Sequence, residues 1–174
     1  MKQVLTLIGI CLFFSAAAQT GEEDDLSVIQ SMYGKEKHDL VQEYMQFNDS
    51  ASAHAFWKIY NSYETERKKL GEDYLTILQD YVDHYENIND KKADELITKT
   101  SANNIAMENL YVKYYKKLKP AIGALKASQF IQLEAYLHTA IKIYILDGIP
   151  FIGDIDKSKK PAVNWVYNTA GFAN

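Results

Sequence analysis

The sequence is poor in the residues that break or staple a chain. It has one cysteine, Cys11, three prolines and eight glycines in 174 residues. Cys11 lies inside the apolar run Val4 to Phe14, and nothing after it carries a thiol. A mature chain starting beyond that run therefore has no disulfide framework, no thiolate zinc site and no cysteine nucleophile. Between residues 22 and 147 the only proline is Pro120, and the only glycines are Gly34, Gly71 and Gly123. Glycine-rich phosphate loops, Gly-x-Ser-x-Gly and Glu-x-x-His are all missing from the sequence, which removes the usual supports for nucleotide, serine-hydrolase and di-iron chemistry.

What is present begins with an export signal. Lys2 precedes the 11-residue apolar segment, and Ser15-Ala16-Ala17-Ala18-Gln19 offers an Ala-x-Ala cut before Gln19. A membrane span needs roughly 20 apolar residues, and acidic Glu22 to Asp25 follow too soon. Residues 1–18 thus read as a secretory signal peptide, with a periplasmic or secreted product and no integral membrane segment after processing. Removing them, with Lys2 and no acid among them, leaves 18 basic against 23 acidic residues, a net charge of -5. That balance disfavours general nucleic-acid binding.

The mature chain divides into a helical domain, 19–148, and a tail, 149–174. Scarcity of breakers argues for long helices. Phe56, Tyr60, Tyr63, Arg67, Leu70, Tyr74, Ile77, Tyr81, Tyr85 and Ile88 recur at gaps of three and four, predicting one helix over about 52–88. Asp49, Ser50 or Ser52 can cap its start, and Gly71 is its weak point. A preceding helix carries Leu26, Ile29, Tyr33, Leu40, Tyr44 and Phe47. A third starts at Asn89-Asp90 and ends or kinks at Pro120, and a fourth covers about Leu125 to Leu146. Short connections near 48–52 and 88–90 favour antiparallel neighbours. The expected fold is all-α: an elongated antiparallel hairpin or bundle of about four helices with an irregular aromatic tail.

Chemistry-bearing residues are few. Asp80 with His84 and Glu134 with His138 share helical faces at i, i+4, the spacing a metal site needs, but such pairs are more commonly surface polar contacts. No metal, cofactor or catalytic residue is assigned, and the expected class is non-enzymatic. Glu64-Lys68, Glu66-Lys69 and Glu95-Lys99 read as ion pairs of solvated faces. The unusual feature is aromatic, with 13 Tyr, 7 Phe and 2 Trp. A tyrosine stripe is either core with hydroxyls reaching the rim or an adaptable contact surface. Arg67 within that stripe needs an acid partner or water. Phe56 and Trp57 are adjacent and point about 100° apart on a helix, so one of them widens the apolar arc. The candidate partner surface comprises Phe56, Trp57, Tyr60, Tyr63 and Arg67 with Gln129, Phe130 and Gln132. For Trp57, bundle packing and partner contact both fit.

The segments Phe56-Trp57-Lys58-Ile59-Tyr60-Asn61-Ser62-Tyr63 and Leu125-Lys126-Ala127-Ser128-Gln129 resemble the Spy/CpxP-like periplasmic helical proteins, whose long helix opens Phe-Trp-x-x-Tyr-x-x-Tyr and whose later helix opens Leu-Thr-x-x-Gln. Lys126 stands where that motif has threonine. The resemblance spans about residues 50–150. It implies an all-helical, often dimeric, cradle-like protein that binds unfolded or partly folded proteins without ATP, or that reports envelope stress to a sensor protein. The runner-up is a structural or interaction protein of the envelope with one specific partner.

Overall fold

The computed structural model describes residues 35–153 together with Ile29. The signal segment, the residues around Gly34 and the 154–174 part of the tail lie outside the described residues. Among the described residues the protein is all-α, with four helices and no strand. Helix α1 covers Lys37–Tyr44, α2 Ser50–His84, α3 Asp90–Ile122 and α4 Ala124–Asp147, and a 3₁₀ turn at Tyr85–Asn87 follows α2.

Capping chemistry sets the starts of the two longest helices. The Asp49 side chain accepts from the Ser52 amide at 2.8 Å, and Asn89 accepts from the Lys92 amide at 3.0 Å, each satisfying a first-turn donor that has no helical partner. The 35 residues of α2 extend about 53 Å at 1.5 Å per residue. The helix passes through Gly71 without a break. It is two residues earlier at its start than the periodicity indicates, and its last turn tightens into the 3₁₀ segment instead of running as α-helix to Ile88. Pro120 does not end α3, which continues to Ile122. Proline removes one hydrogen bond in the penultimate turn, whereas the actual stop is Gly123, at φ 83° and ψ 158°, a conformation essentially reserved for glycine. Its amide donates to the Lys119 carbonyl at 3.0 Å, and α4 begins at the next residue.

Helix α3 runs antiparallel to both α2 and α4. Asn103 donates to the Leu70 carbonyl at 2.9 Å, Lys92 to Asp80 at 2.6 Å and Lys142 to Asn104 at 2.8 Å. The main core lies where α1, α2, α3 and α4 meet, and includes Val41, Met45, Phe56, Tyr60, Tyr63, Met107, Tyr114, Leu118 and Phe130. Beside it, Ile29, Leu40, Leu137 and Ile141 form a smaller cluster. The first helix is registered differently from its expected stripe: Tyr44 is exposed, and Lys37, Leu40 and Val41 point inward.

Candidate functional site

Aromatic rings of α2 and α4 close the proximal half of the tyrosine seam. Phe56 and Tyr63 both meet Phe130 edge to face, with centroids 5.3 Å apart in each case, the geometry that ring quadrupoles favour. Phe56, Tyr60, Tyr63 and Phe130 are buried. Of the two readings of the stripe, core and contact surface, these rings take the first, because one wide arc on α2 is covered from two sides, by α4 and by α1. Trp57 is half-buried and stacks on His38 of α1 at 4.4 Å. Gln129 and Gln132 face solvent while Phe130 faces inward, so the two glutamines are not part of the aromatic patch.

Inside this junction sits a cluster of charges whose inward placement the sequence reading missed. Lys37 of α1 is 4% exposed and Glu134 of α4 is 1% exposed. The Lys37 Nζ donates to Glu64 Oε1 at 2.5 Å and to Glu134 Oε2 at 2.7 Å, and the Tyr63 hydroxyl donates to the same Glu134 oxygen at 2.8 Å. Arg67, 4% exposed, finds its acid one turn earlier: its Nε donates to both Glu64 oxygens at 3.1 and 3.2 Å. Two cations and two carboxylates thus neutralise one another in a largely buried site that opens to water only at Glu64, the pairing under which buried charges are tolerated. Glu64 therefore sits at the rim of the interior, turned toward Lys37 and Arg67 and not along a solvated face with Lys68. Glu66 likewise reaches across to Lys113 of α3, whereas Glu95 and Lys99 pair along one exposed helix face as expected.

Electrostatics follow the burial. Desolvation pushes the Glu64 carboxyl up, but attraction to Lys37 and then Arg67, with their hydrogen bonds, outweighs it and leaves the group below its usual range. Burial, followed by nearby acids, raises the Tyr60, Tyr63 and Tyr111 hydroxyls well above 10, so all three remain neutral donors. The Tyr111 hydroxyl and Glu134 Oε1 are buried with no hydrogen-bond partner among the described residues. The cluster joins three helices, with Lys37, Arg67 and Glu134 enclosed and Glu64 at its rim, 21% exposed.

The two acid–histidine pairs separate. His84 Nδ1 lies 3.0 Å from Asp80 Oδ1, with Lys92 on the other oxygen at 2.6 Å. Glu134 turns to Lys37 and Tyr63, and the His138 ring lies edge-on to Tyr111 at 6.5 Å. Among the described residues no group of three or more His, Cys, Asp or Glu side chains is placed to hold a metal ion.

The distal half of the seam remains open. At the far end of the α2–α3 hairpin, Ile77, Leu78 and Tyr81 face Leu96 and Ile97 across a groove of about 270 Å³, and the turn after α4 supplies Ile149 and Ile152. No lining residue is charged. The turn is tightly built: the Tyr81 hydroxyl donates to the Pro150 carbonyl at 3.4 Å, and the Gly153 amide donates to Ile149 at 2.9 Å. A Cβ on Gly153 would sit 2.5 Å from the Asp147 carbonyl oxygen. Phe151, at the mouth, holds φ 67°, a costly backbone region for a bulky side chain. Ile97 is 61% exposed there. The sequence signal for it was its position beside Leu96, which widens the apolar arc of α3.

Among the described residues no helix is long and apolar enough to cross a membrane. Comparison of the chain with protein-family models, with curated proteins and with solved structures finds no match.

Proposed function

We propose that the protein is an exported, non-enzymatic binding protein, chaperone-like or an envelope-stress adaptor of the Spy/CpxP-like kind, that holds apolar stretches of unfolded or partly folded chains without ATP. The distal groove carries this reading. Apart from Thr100 its lining is aliphatic and aromatic, without a charge, so its occupant is an uncharged apolar stretch of polypeptide. Its volume lies just below the roughly 300–1,000 Å³ of small-molecule sites, which suits a few side chains better than a cofactor. Ile97 and Phe151 at the mouth are exposed apolar groups of the kind that marks interaction sites when clustered. Export rests on Lys2, the apolar run Val4 to Phe14 and the alanines before Gln19.

Light scattering of an aggregating, reduced model protein, with and without the purified chain and with no nucleotide, tests the proposal. Wild type at equimolar ratio should slow aggregation, and Ile97→Glu should lose that effect at unchanged thermal stability. Absence of suppression by wild type rejects the chaperone reading. The closed proximal seam favours one second reading, a structural or adaptor protein with a single specific partner. Recovery of one stoichiometric partner from envelope extract, without suppression, would select it.

A further inference from the structure

Helix α1 occupies the rest of the molecule in the manner of a bound peptide. It has eight residues and no side-chain cap at its start. Isolated helices shorter than about 12–15 residues are marginal in water, so α1 owes its form to the surface beneath it. That surface is the α2–α4 face. Lys37 enters between Glu64 of α2 and Glu134 of α4, and His38 lies on Trp57. Three and four residues beyond Lys37, Leu40 joins the small cluster of Ile29, Leu137 and Ile141, and Val41 joins the main core that holds Phe56, Tyr60 and Phe130.

Without α1 the floor of this face holds the carboxylates of Glu64 and Glu134 against the single guanidinium of Arg67, set among aromatic rings. One cation is then lacking, and Trp57, Tyr60 and Tyr63 provide the large, stiff contact area typical of binding hot spots. We infer that the α2–α4 face under α1 is a second binding surface, for an amphipathic helix of another protein that presents one Lys or Arg followed three and four residues later by aliphatic side chains, and that α1 is its built-in competitor. The residues that the sequence nominated as a partner surface, Phe56, Trp57, Tyr60, Tyr63, Arg67 and Phe130, then act only when α1 has left. This surface is separate from the distal groove, so its behaviour does not depend on client binding there.

A tethered competitor on a short connection acts at an effective concentration in the millimolar range, and an outside helix binds in proportion to the open fraction. The probe is a fluorescein-labelled, end-blocked peptide of residues 35–47, titrated by anisotropy against the full chain. Lys37→Ala removes the charged anchor from the competitor and should bind the peptide at least tenfold more tightly than wild type does. A peptide with alanine in place of its own Lys37 should bind at least tenfold more weakly to that variant. Equal binding to variant and wild type, or no binding to a variant with native circular dichroism, overturns the inference. Should Lys37→Ala fail to fold, amide exchange of wild type decides: α1 amides exchanging at least tenfold faster than those of central α2 support a departing competitor, and equal protection refutes it.

Discussion

Replacing Glu134 with alanine tests whether burial or mere pairing gives the charge cluster its energy. The change deletes the acceptor of two hydrogen bonds, from Lys37 at 2.7 Å and from the Tyr63 hydroxyl at 2.8 Å. Lys37 keeps Glu64 at 2.5 Å, but the Tyr63 hydroxyl, on a fully enclosed ring, loses its acceptor. Hydrogen bonds to charged groups contribute about 1.5–3 kcal/mol each, and breaking a buried ion pair from one side costs about 3–5 kcal/mol. The expected loss is about 3–5 kcal/mol, equivalent to roughly 6–20 °C in Tm for a chain of this length. Glu95→Ala is the matched control. Glu95 also pairs with a lysine, Lys99, at 2.5 Å, but their side chains are 44% and 50% exposed, so water and salt screen the pair and its removal should leave the urea midpoint nearly unchanged. Urea unfolding followed by circular dichroism, with an unchanged slope, reads both. If Glu134→Ala costs no more than Glu95→Ala, the account of the cluster as the clasp of three helices is wrong.

Acid should weaken the wild type below about pH 4.5, the ordinary value for Glu64. That group's folded-state pKa is lowered, so its contribution is complete above the unfolded value and drains away as pH falls through the folded one. Glu64→Gln should flatten the dependence of the urea midpoint between pH 5 and 3, and an unchanged dependence would reject the assignment. Gly123→Ala should cost about 1–3 kcal/mol from backbone strain alone, because a Cβ there meets nothing within 4 Å; a neutral or stabilising result would show that the joint relaxes. Gly153→Ala should loosen the turn over the distal groove, read as faster amide exchange at Ile149–Gly153, since its Cβ collides with the backbone oxygen of Asp147.

The order and approximate bounds of the three long helices were legible because breakers are rare and apolar residues keep helical spacing from Phe56 onward, whereas the first helix stops at Tyr44, short of the expected Phe47. The caps were readable in part: Asp49 was one of three candidates with Ser50 and Ser52, and Asn89-Asp90 marked the start of the third helix, both being short acceptors placed before long periodic runs. Periodicity reports which side chains share a face, and it does not report how many neighbours that face has. Hence the stripe led correctly to Phe56, Tyr60 and Tyr63 as a unit, and could not say that α1 and α4 both cover it. Lys37 drew no notice and Glu134 was paired with His138 as a surface contact, because charge usually marks the solvated side. Position contradicts that reading in both cases: Lys37 shares a face with Leu40 and Val41, and Glu134 lies four residues after Phe130 and three before Leu137. A charge on an apolar stripe asks for an opposite charge on another stripe, and Arg67 was the visible third member of the set.

The Lys37–Glu134 contact joins residues 97 positions apart, while α2, α3 and α4 each pack on the helix next in sequence. Neighbouring helices assemble quickly because little chain entropy is lost in closing short loops. A chain made from its amino terminus at about 5–20 residues per second presents α1 roughly 5–20 s before Glu134 exists. During that interval an aliphatic residue at position 37 would add to an uncovered apolar stripe, whereas an ammonium stays hydrated and keeps the segment from associating elsewhere. The lysine thus serves the unfinished chain as well as the finished one: its wait in water ends when α4 arrives.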